Sequence, residues 1–402
     1  MKHRDASILL PLAALQCISL VDFMILMPLG PLLLQSFAID AREFSWVVAA
    51  YTSAAGLAGF LAAPWLDRVP RRAAYLGLSL GLLGGIAASG CATSYPLLLA
   101  GRALTGLFAG VHGALALAIV ADVIPPERRG RAKGMLMMSM AFASAVGVPI
   151  AIALGNQFGW AAPFFALSLL GLPLLAWAAG RLPAVMTAPG GARPPLLENL
   201  RQLLATPAHL RAFALVALLM AGAFAVIPFI STYLVGNVGV RQSQLPAVFL
   251  VGGAATFLLA PLTGRLADRH GARPVLCGTV MLAAAMMVLL THLPAVGLPL
   301  AAGVAGLMMA SNASRMVAVQ VLVAAAVEPR HRGGFLAVNS SVQQLASALG
   351  TAGGGLLLAG GLGEPLRHFG TVGLLAAGVT LASLGLIARL PSVAPGGATP
   401  PQ

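Results

Sequence analysis

Four ionisable side chains lie inside otherwise apolar segments of this 402-residue chain, namely Asp22, Arg102, His112 and Arg315. Asp22 lies deepest within such a segment among the 11 acidic residues, and the others fall at segment ends, in connections or in the tail. A charged group at the centre of a bilayer costs at least about 2.5–3.5 kcal/mol on insertion scales, so it marks a functional site by default. Asp22 is therefore a candidate for binding and releasing protons. The alternative is a carboxylate that stays paired with a buried arginine.

Amide side chains form a second group of candidates, in the apolar segments after residue 297. They are Asn312, Asn339, Gln343 and Gln344. These amides can line the same cavity as the ionisable groups, or they can make ordinary hydrogen bonds between helices. The three cysteines are scattered without a CxxC pair, which argues against a disulfide framework or a zinc site.

The composition indicates the medium in which these groups lie. Hydrophobic residues make up 59% of the chain and charged residues 9%, and the mean hydropathy is +0.91. A soluble domain carries about 25% charged residues, so this chain could not cover a water-facing surface. Intrinsic disorder needs low hydrophobicity and high charge, and is excluded as well. The composition predicts an integral membrane protein.

Twelve apolar runs are long enough to cross a bilayer as helices, which takes about 20 residues each. They fall at 8–36, 44–66, 73–93, 95–123, 134–157, 161–181, 211–236, 244–267, 275–293, 297–326, 335–361 and 369–390. None of them alternates with the period of a membrane β-strand. The predicted fold is an all-α integral membrane protein of twelve transmembrane helices, called spans 1 to 12 below.

A long Pro/Gly-rich connection divides the twelve spans into two sets of six. The predicted organisation is a six-helix bundle at 1–181, a linker at 182–210, a second six-helix bundle at 211–390 and a disordered tail at 391–402. Part of the linker is amphipathic, and we expect its apolar side to lie on the membrane interface.

The basic residues predict the orientation of the spans. The chain has 24 Lys and Arg residues and a net charge of +13. Nineteen of these residues lie at the N-terminus, in the even-numbered connections or in the tail, and three lie on the opposite side. Because basic residues are enriched in cytoplasmic loops, both termini and the linker are expected in the cytoplasm. The positive charge is thus a topology signal, and no motif indicates a nucleic-acid partner.

Depth along the spans suggests which ionisable groups meet. At about 1.5 Å per residue, Asp22 lies about 21 Å from the outer end of span 1, and Arg102 about 10 Å from that of span 4. His112 and Arg315 share the depth of Asp22, so we expect a central cavity in which one of them tunes the acid. His112 can equally be a neutral, hydrogen-bonded histidine. Arg315 is expected to be functional, because an unpaired arginine there would be very costly.

Two short motifs occur twice, at nearly the same separation. The loop sequence at 63–72 returns at 264–273 with an offset of 201, and that at 126–130 returns at 329–333 with an offset of 203. Two landmarks at nearly one offset indicate parallel six-helix halves, an architecture that transporters use.

On these motifs the sequence resembles the major facilitator superfamily, and within it the twelve-helix drug/sugar:proton antiporter group. The family signature Gly-x-x-x-Asp-Arg-x-Gly-Arg-Arg follows span 2. Its matching residues in the first half are Asp67, Arg68, Arg71 and Arg72. The second copy retains Gly264, Asp268, Arg269 and Gly271. The first copy departs from the signature at Ala63 and Pro70, where the family has glycine.

Two further signatures of the family match inside the spans. The Arg-x-x-x-Gly signature of span 4 matches at Arg102 and Gly106. The antiporter signature of span 5 matches in part, at Gly147 and Pro149. The resemblance implies that span 5 has a flexible, closely packed point there, although a proline in a membrane helix is often only a kink.

The resemblance also implies a gate in the loops at the cytoplasmic side. Asp67, Arg71 and Arg72 would form an ion-pair cluster with Asp122, at the inner end of span 4, that holds this side shut. Breaking the cluster would open the interior, so it acts as a two-state latch.

The sequence therefore predicts a secondary transporter of the bacterial inner membrane that exports a small organic molecule, such as a drug or sugar, in exchange for protons. Asp22 and His112 are the proposed proton-coupling residues. The predicted cavity residues are Arg102, Arg315, Asn312, Asn339 and Gln343. No nucleotide-binding loop or metal-ligand cluster is present in the sequence, so no cofactor is expected. The resemblance implies a monomer.

Two rival functions remain open. The first is a transporter of an organic anion, import or export, in which Arg102 and Arg315 bind the charge of the ligand and Asp22 only pairs with them. The second is a membrane sensor or assembly factor on the same fold, without transport. An enzyme is the least favoured class, because no nucleophile–base pair lies at a plausible spacing.

Overall fold

The structure, a computed structural model, describes residues 3–62, 69–183, 203, 205–325, 332–360 and 364–390. Throughout these residues the regular structure is helical, apart from one isolated bridge between Ala359 and Arg367. Eleven of the described helices are long and apolar enough to cross a membrane. The helix of span 11 does not meet this criterion of length and apolar composition. It packs against both span 2 and span 7. The prediction of an all-helical membrane fold is confirmed.

The described residues of the first six spans form eight α-helices. These are His3–Ile25 and Gly30–Phe37 in span 1, Ala41–Leu61 in span 2, Arg71–Gly90 in span 3, Tyr95–Val123 in span 4, Pro126–Phe142 and Val148–Phe158 in span 5, and Ala162–Arg181 in span 6. Span 5 thus begins eight residues before its apolar run, because Pro126 is suited to the first helical turn.

The last six spans comprise seven α-helices. These are Pro207–Val226 and Ile230–Tyr233 in span 7, Leu245–His270 in span 8, Ala272–Thr291 in span 9, Leu298–Ala325 in span 10, Arg332–Leu357 in span 11, and Phe369–Arg389 in span 12. The helix of span 7 starts within the stretch predicted as linker. Most of the remaining linker, and the predicted tail, lie outside the described residues.

Local sequence signals explain where several spans begin and break. A capping box starts span 2, in which Asp40 Oδ1 accepts the Glu43 N–H at 2.7 Å and Glu43 Oε2 accepts the Asp40 N–H at 3.0 Å. In span 1 the helix ends at Ile25 and a turn at 26–29 contains Pro28. Since proline has no N–H, the break beyond Asp22 was predictable from the sequence.

A wide turn interrupts span 5 at Ala143–Gly147, where the backbone forms one π-helical turn. This turn fits closely against two other spans. A Cβ atom on Gly147 would come within 3.0 Å of Val21 on span 1, and one on Gly253 of span 8 would lie 2.8 Å from Ala145 Cα. Such turns occur often at functional sites, and here the turn touches the neighbour of Asp22.

In two places, a pair of glycines four residues apart allows two helix backbones to approach closely. Cβ atoms on Gly106 and Gly110 of span 4 would come within 3.0 Å of carbonyl oxygens of span 2. Cβ atoms on Gly350 and Gly354 of span 11 would do the same against span 7. Small residues at this spacing are typical of membrane helix pairs, because they permit close van der Waals packing.

The apolar core is arranged differently at the two ends of the spans. At the outer ends, which face away from the chain termini, one hydrophobic cluster joins both halves and includes Phe44, Ile152, Phe229 and Val248. At the inner ends the described residues form two separate clusters, one in each half. Phe60 of span 2 packs against the cluster of the second half. The two halves are therefore sealed together more extensively at the outer ends.

Polar contacts between the halves also lie at the outer ends. Asn156 Nδ2 donates to the Gln242 carbonyl oxygen at 3.1 Å, and Gln242 Nε2 donates to Asn156 Oδ1 at 3.2 Å. The Ala41 N–H donates to the Gly360 carbonyl oxygen at 3.3 Å. These hydrogen bonds add to the apolar seal on this side.

Candidate functional site

The predicted acid lies in a buried ion pair between spans 1 and 4. Arg102 Nη1 donates to Asp22 Oδ1 at 2.8 Å, and both side chains are 0% exposed. Hydrogen bonds between ionised partners are shorter and stronger than neutral ones. The second carboxylate oxygen, Asp22 Oδ2, has no hydrogen-bond partner. One oxygen of the acid is thus held by the arginine and the other is free.

This pairing differs from the partners that we expected from depth. Counting along ideal helices placed Arg102 nearer the outer end and grouped Asp22 with His112 and Arg315. The count neglects the long arginine side chain and the turn at 26–29, where the helix of span 1 is broken. The geometry is the one expected for the alternative, in which Asp22 pairs with a buried arginine.

Aromatic rings enclose the guanidinium of this pair. Its carbon atom lies 4.6 Å from the ring centroid of Tyr51 and 5.8 Å from that of Phe164. Both distances allow cation–π attraction, which is stronger when the cation is desolvated. Arg102 Nε and Nη2 have no hydrogen-bond acceptor in the structure. The arginine is therefore held by one carboxylate and two rings.

His112 is held by span 3. Its Nε2 lies 3.1 Å from Ser79 Oγ, and this hydroxyl donates to the Tyr75 carbonyl oxygen at 2.8 Å. Because a hydroxyl has one hydrogen, Nε2 is assigned as the donor and Nδ1 as an acceptor, which has no partner. The imidazole also stacks on the Tyr75 ring at 4.6 Å. This arrangement suits a neutral, hydrogen-bonded histidine.

Arg315 joins spans 10 and 7 in the second half. Its Nη2 donates to the Leu219 carbonyl oxygen at 3.0 Å and to Asn312 Oδ1 at 2.7 Å. Asn312 Nδ2 in turn donates to the Met308 carbonyl oxygen at 3.0 Å, which fixes the orientation of the amide. The structure thus brings together two of the predicted cavity residues.

The other predicted cavity residues lie on span 11. Asn339 is buried and its Oδ1 has no partner, while Gln343 and Gln344 are half-buried. The amide oxygen of Asn339 therefore accepts no hydrogen bond from another helix. The amide oxygen of Asn312, in contrast, accepts a hydrogen bond from Arg315 on its own span.

One ion pair of the cluster predicted at the inner ends is formed in the structure. Arg71 Nε lies 3.3 Å from Asp122 Oδ2, which links the start of span 3 to the end of span 4. Arg72 was expected in the same ion-pair cluster, but its Nη2 donates to the Ala179 carbonyl oxygen of span 6 at 2.6 Å. The last carbonyls of a helix have no partner within the helix and attract basic side chains. Asp67 and Arg68 lie outside the described residues.

The second copy of the loop motif shows the same capping, which we did not predict. Arg273 donates to the Ala388 carbonyl oxygen at the end of span 12. Arg72 and Arg273 are 201 residues apart, so the repeat places one arginine on the last span of each half. The sequence could have predicted this capping from two features. Arg72 and Arg273 occupy equivalent positions of the repeat, and spans 6 and 12 both end without a glycine cap.

The remaining motif residues of the second half have separate roles. Gly271 has a φ of +87°, so it ends the helix of span 8 in a conformation that favours glycine. Asp268 and Arg269 are exposed. A Cβ atom on Gly264 would meet Val317 at 3.9 Å, which is an ordinary contact.

The capping arginines give a stability prediction. We expect Arg72→Gln to lower the free energy of unfolding by about 1 kcal/mol, because a charge-assisted hydrogen bond to the end of span 6 is lost. Thermal unfolding of the protein purified in detergent measures this change. Arg181→Gln is the matched control, because it replaces an exposed arginine of span 6, the helix that Arg72 caps. An equal loss of stability in Arg181→Gln would contradict capping by Arg72.

The antiporter signature lies beside the ion pair. Gly147 is the last residue of the wide turn that packs on Val21, and Pro149 lies in the first turn of the following helix. The wide turn of span 5 thus packs on the residue before Asp22, and the break in span 1 begins four residues after Asp22. This placement can allow local movement without melting a whole span.

A helical membrane fold of two six-helix halves with a buried polar centre is an architecture that secondary transporters use. The sequence matches the family described as the Major Facilitator Superfamily at residues 12–255 and 212–402. The chain belongs to this superfamily, as the motifs predicted.

Bacterial relatives include one protein named for drug resistance and one named for efflux. A chloramphenicol resistance protein of Streptomyces lividans is 31% identical over 361 residues, with 86% of each chain covered. The purine ribonucleoside efflux pump NepI of Escherichia coli K12 is 26% identical over 292 residues, with 71% of each chain covered.

Solved structures share the fold. A bacterial homolog of the human lysosomal transporter Spinster, in an inward-facing and unoccupied conformation, has a TM-score of 0.70 at 17% identity, covering 97% of this chain and 96% of that one. The human organic anion transporter MFSD10 has a TM-score of 0.67 at 17% identity, covering 95% and 99%. At this identity the likeness concerns the fold alone.

Proposed function

We propose that this protein is a proton-coupled exporter of a small organic molecule in the bacterial inner membrane, with both termini in the cytoplasm. The observation that carries the proposal is the fully buried Asp22–Arg102 pair, in which one carboxylate oxygen has no partner. Two relatives named for drug resistance and for efflux support export. The 19-to-3 distribution of basic residues supports the orientation.

The free oxygen suggests how the pair responds to a proton. A proton that binds Asp22 Oδ2 neutralises the carboxylate and removes its charge attraction to Arg102. Oδ1 can still accept a hydrogen bond from Arg102, but this bond is no longer between two charges, so spans 1 and 4 are held together less tightly. Release of the proton restores the ion pair. The pair is therefore a two-state element whose balance a proton can shift.

Alternating access is supported by the asymmetric core. The outer ends share one apolar cluster, and the inner ends carry separate clusters. We assign this arrangement to the state that is open toward the cytoplasm. The break in span 1 and the wide turn in span 5 are the proposed hinges, and Gly147 with Pro149 belongs to the second. The Arg71–Asp122 pair is already formed in this state, so the proposed latch of the opposite state needs the other charged residues of the loop motif in addition to this pair.

Proton release from inverted membrane vesicles tests the proposal. The vesicles are energised to an acidic interior and given a panel of drugs, sugars and organic acids, with wild type and Asp22→Asn compared. We expect some compound to provoke proton release in wild type and none to do so in the variant. Each proton moved through 100 mV supplies about 2.3 kcal/mol, enough to sustain a substrate gradient.

Two results would contradict parts of the proposal. Release in both proteins would retain exchange but move the proton site to another group, with His112 as the next candidate. No release in either protein, while a labelled compound still crosses the membrane, would rule out proton coupling. Asn keeps the shape of Asp and can still accept from Arg102 through Oδ1, so the variant is expected to fold.

A further inference from the structure

A fully buried positive charge in the second half has no acidic partner. Among the described residues, Asp22, Arg102 and Arg315 are the charged side chains with 0% exposure. The first two neutralise each other in the ion pair. No carboxylate of the described residues forms an ion pair with Arg315, whose hydrogen-bond acceptors are an amide oxygen and a carbonyl oxygen. The described interior therefore carries one uncompensated positive charge.

Most of the donors of this guanidinium also lack acceptors. An arginine has five N–H groups. The two on Nη2 are used by Leu219 and Asn312, while Nε and Nη1 have no partner. A buried cation without a counter-charge is strongly unfavourable. A carboxylate would supply both the negative charge and the acceptor oxygens that are missing.

The internal repeat shows that this charge is specific to one half. Arg315 and His112 are 203 residues apart and therefore repeat-equivalent. In the first half the hydrogen-bond partner of His112 is Ser79. The residues of span 9 at the corresponding offsets, 280–282, are valine, methionine and leucine. The second half thus has a stronger polar group at this position and no hydroxyl at the positions equivalent to Ser79.

We infer that Arg315, oriented by Asn312, binds the negatively charged group of the substrate, and that the substrate is an organic anion bearing a carboxylate. This inference rests on the proposed function as an exporter. It divides the work between the halves, with the proton bound at Asp22 in the first half and the anion bound at Arg315 in the second. In the ion-paired state Asp22 neutralises Arg102, so Arg315 is the uncompensated charge that an anion meets in this state.

Binding is tested with three probes of nearly equal shape, benzoate, benzamide and benzylammonium. The full-length protein is placed in lipid nanodiscs at constant ionic strength, and its thermal unfolding midpoint is followed as each probe is added. We expect saturable stabilisation by benzoate alone. In Arg315→Gln, the benzoate concentration needed for half the effect should rise at least about 10-fold. Arg181→Gln, which removes an exposed arginine at the end of span 6, is the matched control and should retain the benzoate response.

Three results would overturn the inference. They are no benzoate response in wild type, equal responses to benzoate and benzamide, and a benzoate response that survives Arg315→Gln. A second variant guards against misfolding. Arg315→Met without any probe should unfold at the same or a higher temperature than wild type, because it removes an uncompensated buried charge. A large drop would instead show that Arg315 is a structural link between spans 7 and 10.

Charge movement separates this inference from the proposed function. Exchange of one proton for one monovalent anion moves two charges, whereas exchange for a neutral molecule moves one. Each charge contributes a tenfold change for about 59 mV. A membrane potential of about 59 mV should therefore change the concentration ratio of an exported monovalent anion about 100-fold, and that of a neutral molecule about 10-fold. Benzoate binding without proton release would remove proton coupling and retain the anion site. Proton release provoked only by neutral compounds would retain proton coupling and remove the anion site.

Discussion

Arg102→Met is expected to lower the free energy of unfolding by about 3–5 kcal/mol, because it leaves Asp22 as a buried charge without a partner. The carboxylate is 0% exposed, and Arg102 is its hydrogen-bond partner in the structure. Asp22→Leu should also be costly, since the arginine would retain only the faces of Tyr51 and Phe164. The measurement is reversible unfolding of the purified protein in mixed micelles.

The double variant Asp22→Leu/Arg102→Met makes this prediction specific to the pair. Well-packed apolar residues often replace a buried ion pair at little cost or with a gain in stability, so the double variant should be more stable than either single variant. The resulting coupling energy measures the interaction of the two residues. Losses that simply add would show that the side chains act independently. A stable double variant that no longer releases protons would show that the pair is kept for transport.

Gly106→Leu is expected to cost more than about 3 kcal/mol and to reduce the yield of folded protein. Any Cβ at this position would come within 3.0 Å of the Tyr51 backbone, which cannot move aside as a flexible side chain could. Span 4 would have to shift away from span 2. Because Arg102 lies one turn away on the same helix, it would also be displaced from Asp22, and proton release should be lost.

The matched control for this change is Gly84→Leu in span 3. A Cβ at Gly84 has no neighbour within 4 Å, so this variant should have near-normal stability or a small gain from higher helix propensity. Yield of monodisperse protein and the unfolding midpoint are compared for both variants. Similar losses in the two proteins would contradict the role assigned to close packing at Gly106.

The fold could be predicted from the sequence because the bilayer imposes simple rules. Backbone groups in lipid must be satisfied within each segment, so long apolar runs must be helices. The break after Asp22 followed from the missing N–H of Pro28. The repeated loop motifs indicated two equivalent halves and the superfamily.

The partners within the site could not be predicted in the same way. Span 4 is apolar over nearly its whole length, and a helix that is apolar all round gives no pattern that fixes its rotation against its neighbours. Depth alone therefore assigned the wrong partner to Asp22, and it gave no sign that Ser79 binds His112. Close glycine contacts such as that of Gly106 set the rotation, and they become visible only when the helices are packed.

Under the proposed alternating access, the single apolar cluster at the outer ends should give the two access states different heat capacities. Opening these ends would expose apolar surface to water, which raises the heat capacity. Apolar association weakens on cooling, so low temperature should favour the state in which the outer ends are apart. The van 't Hoff plot of the access equilibrium should accordingly be curved, and temperature becomes an input that acts on this transporter without any ligand.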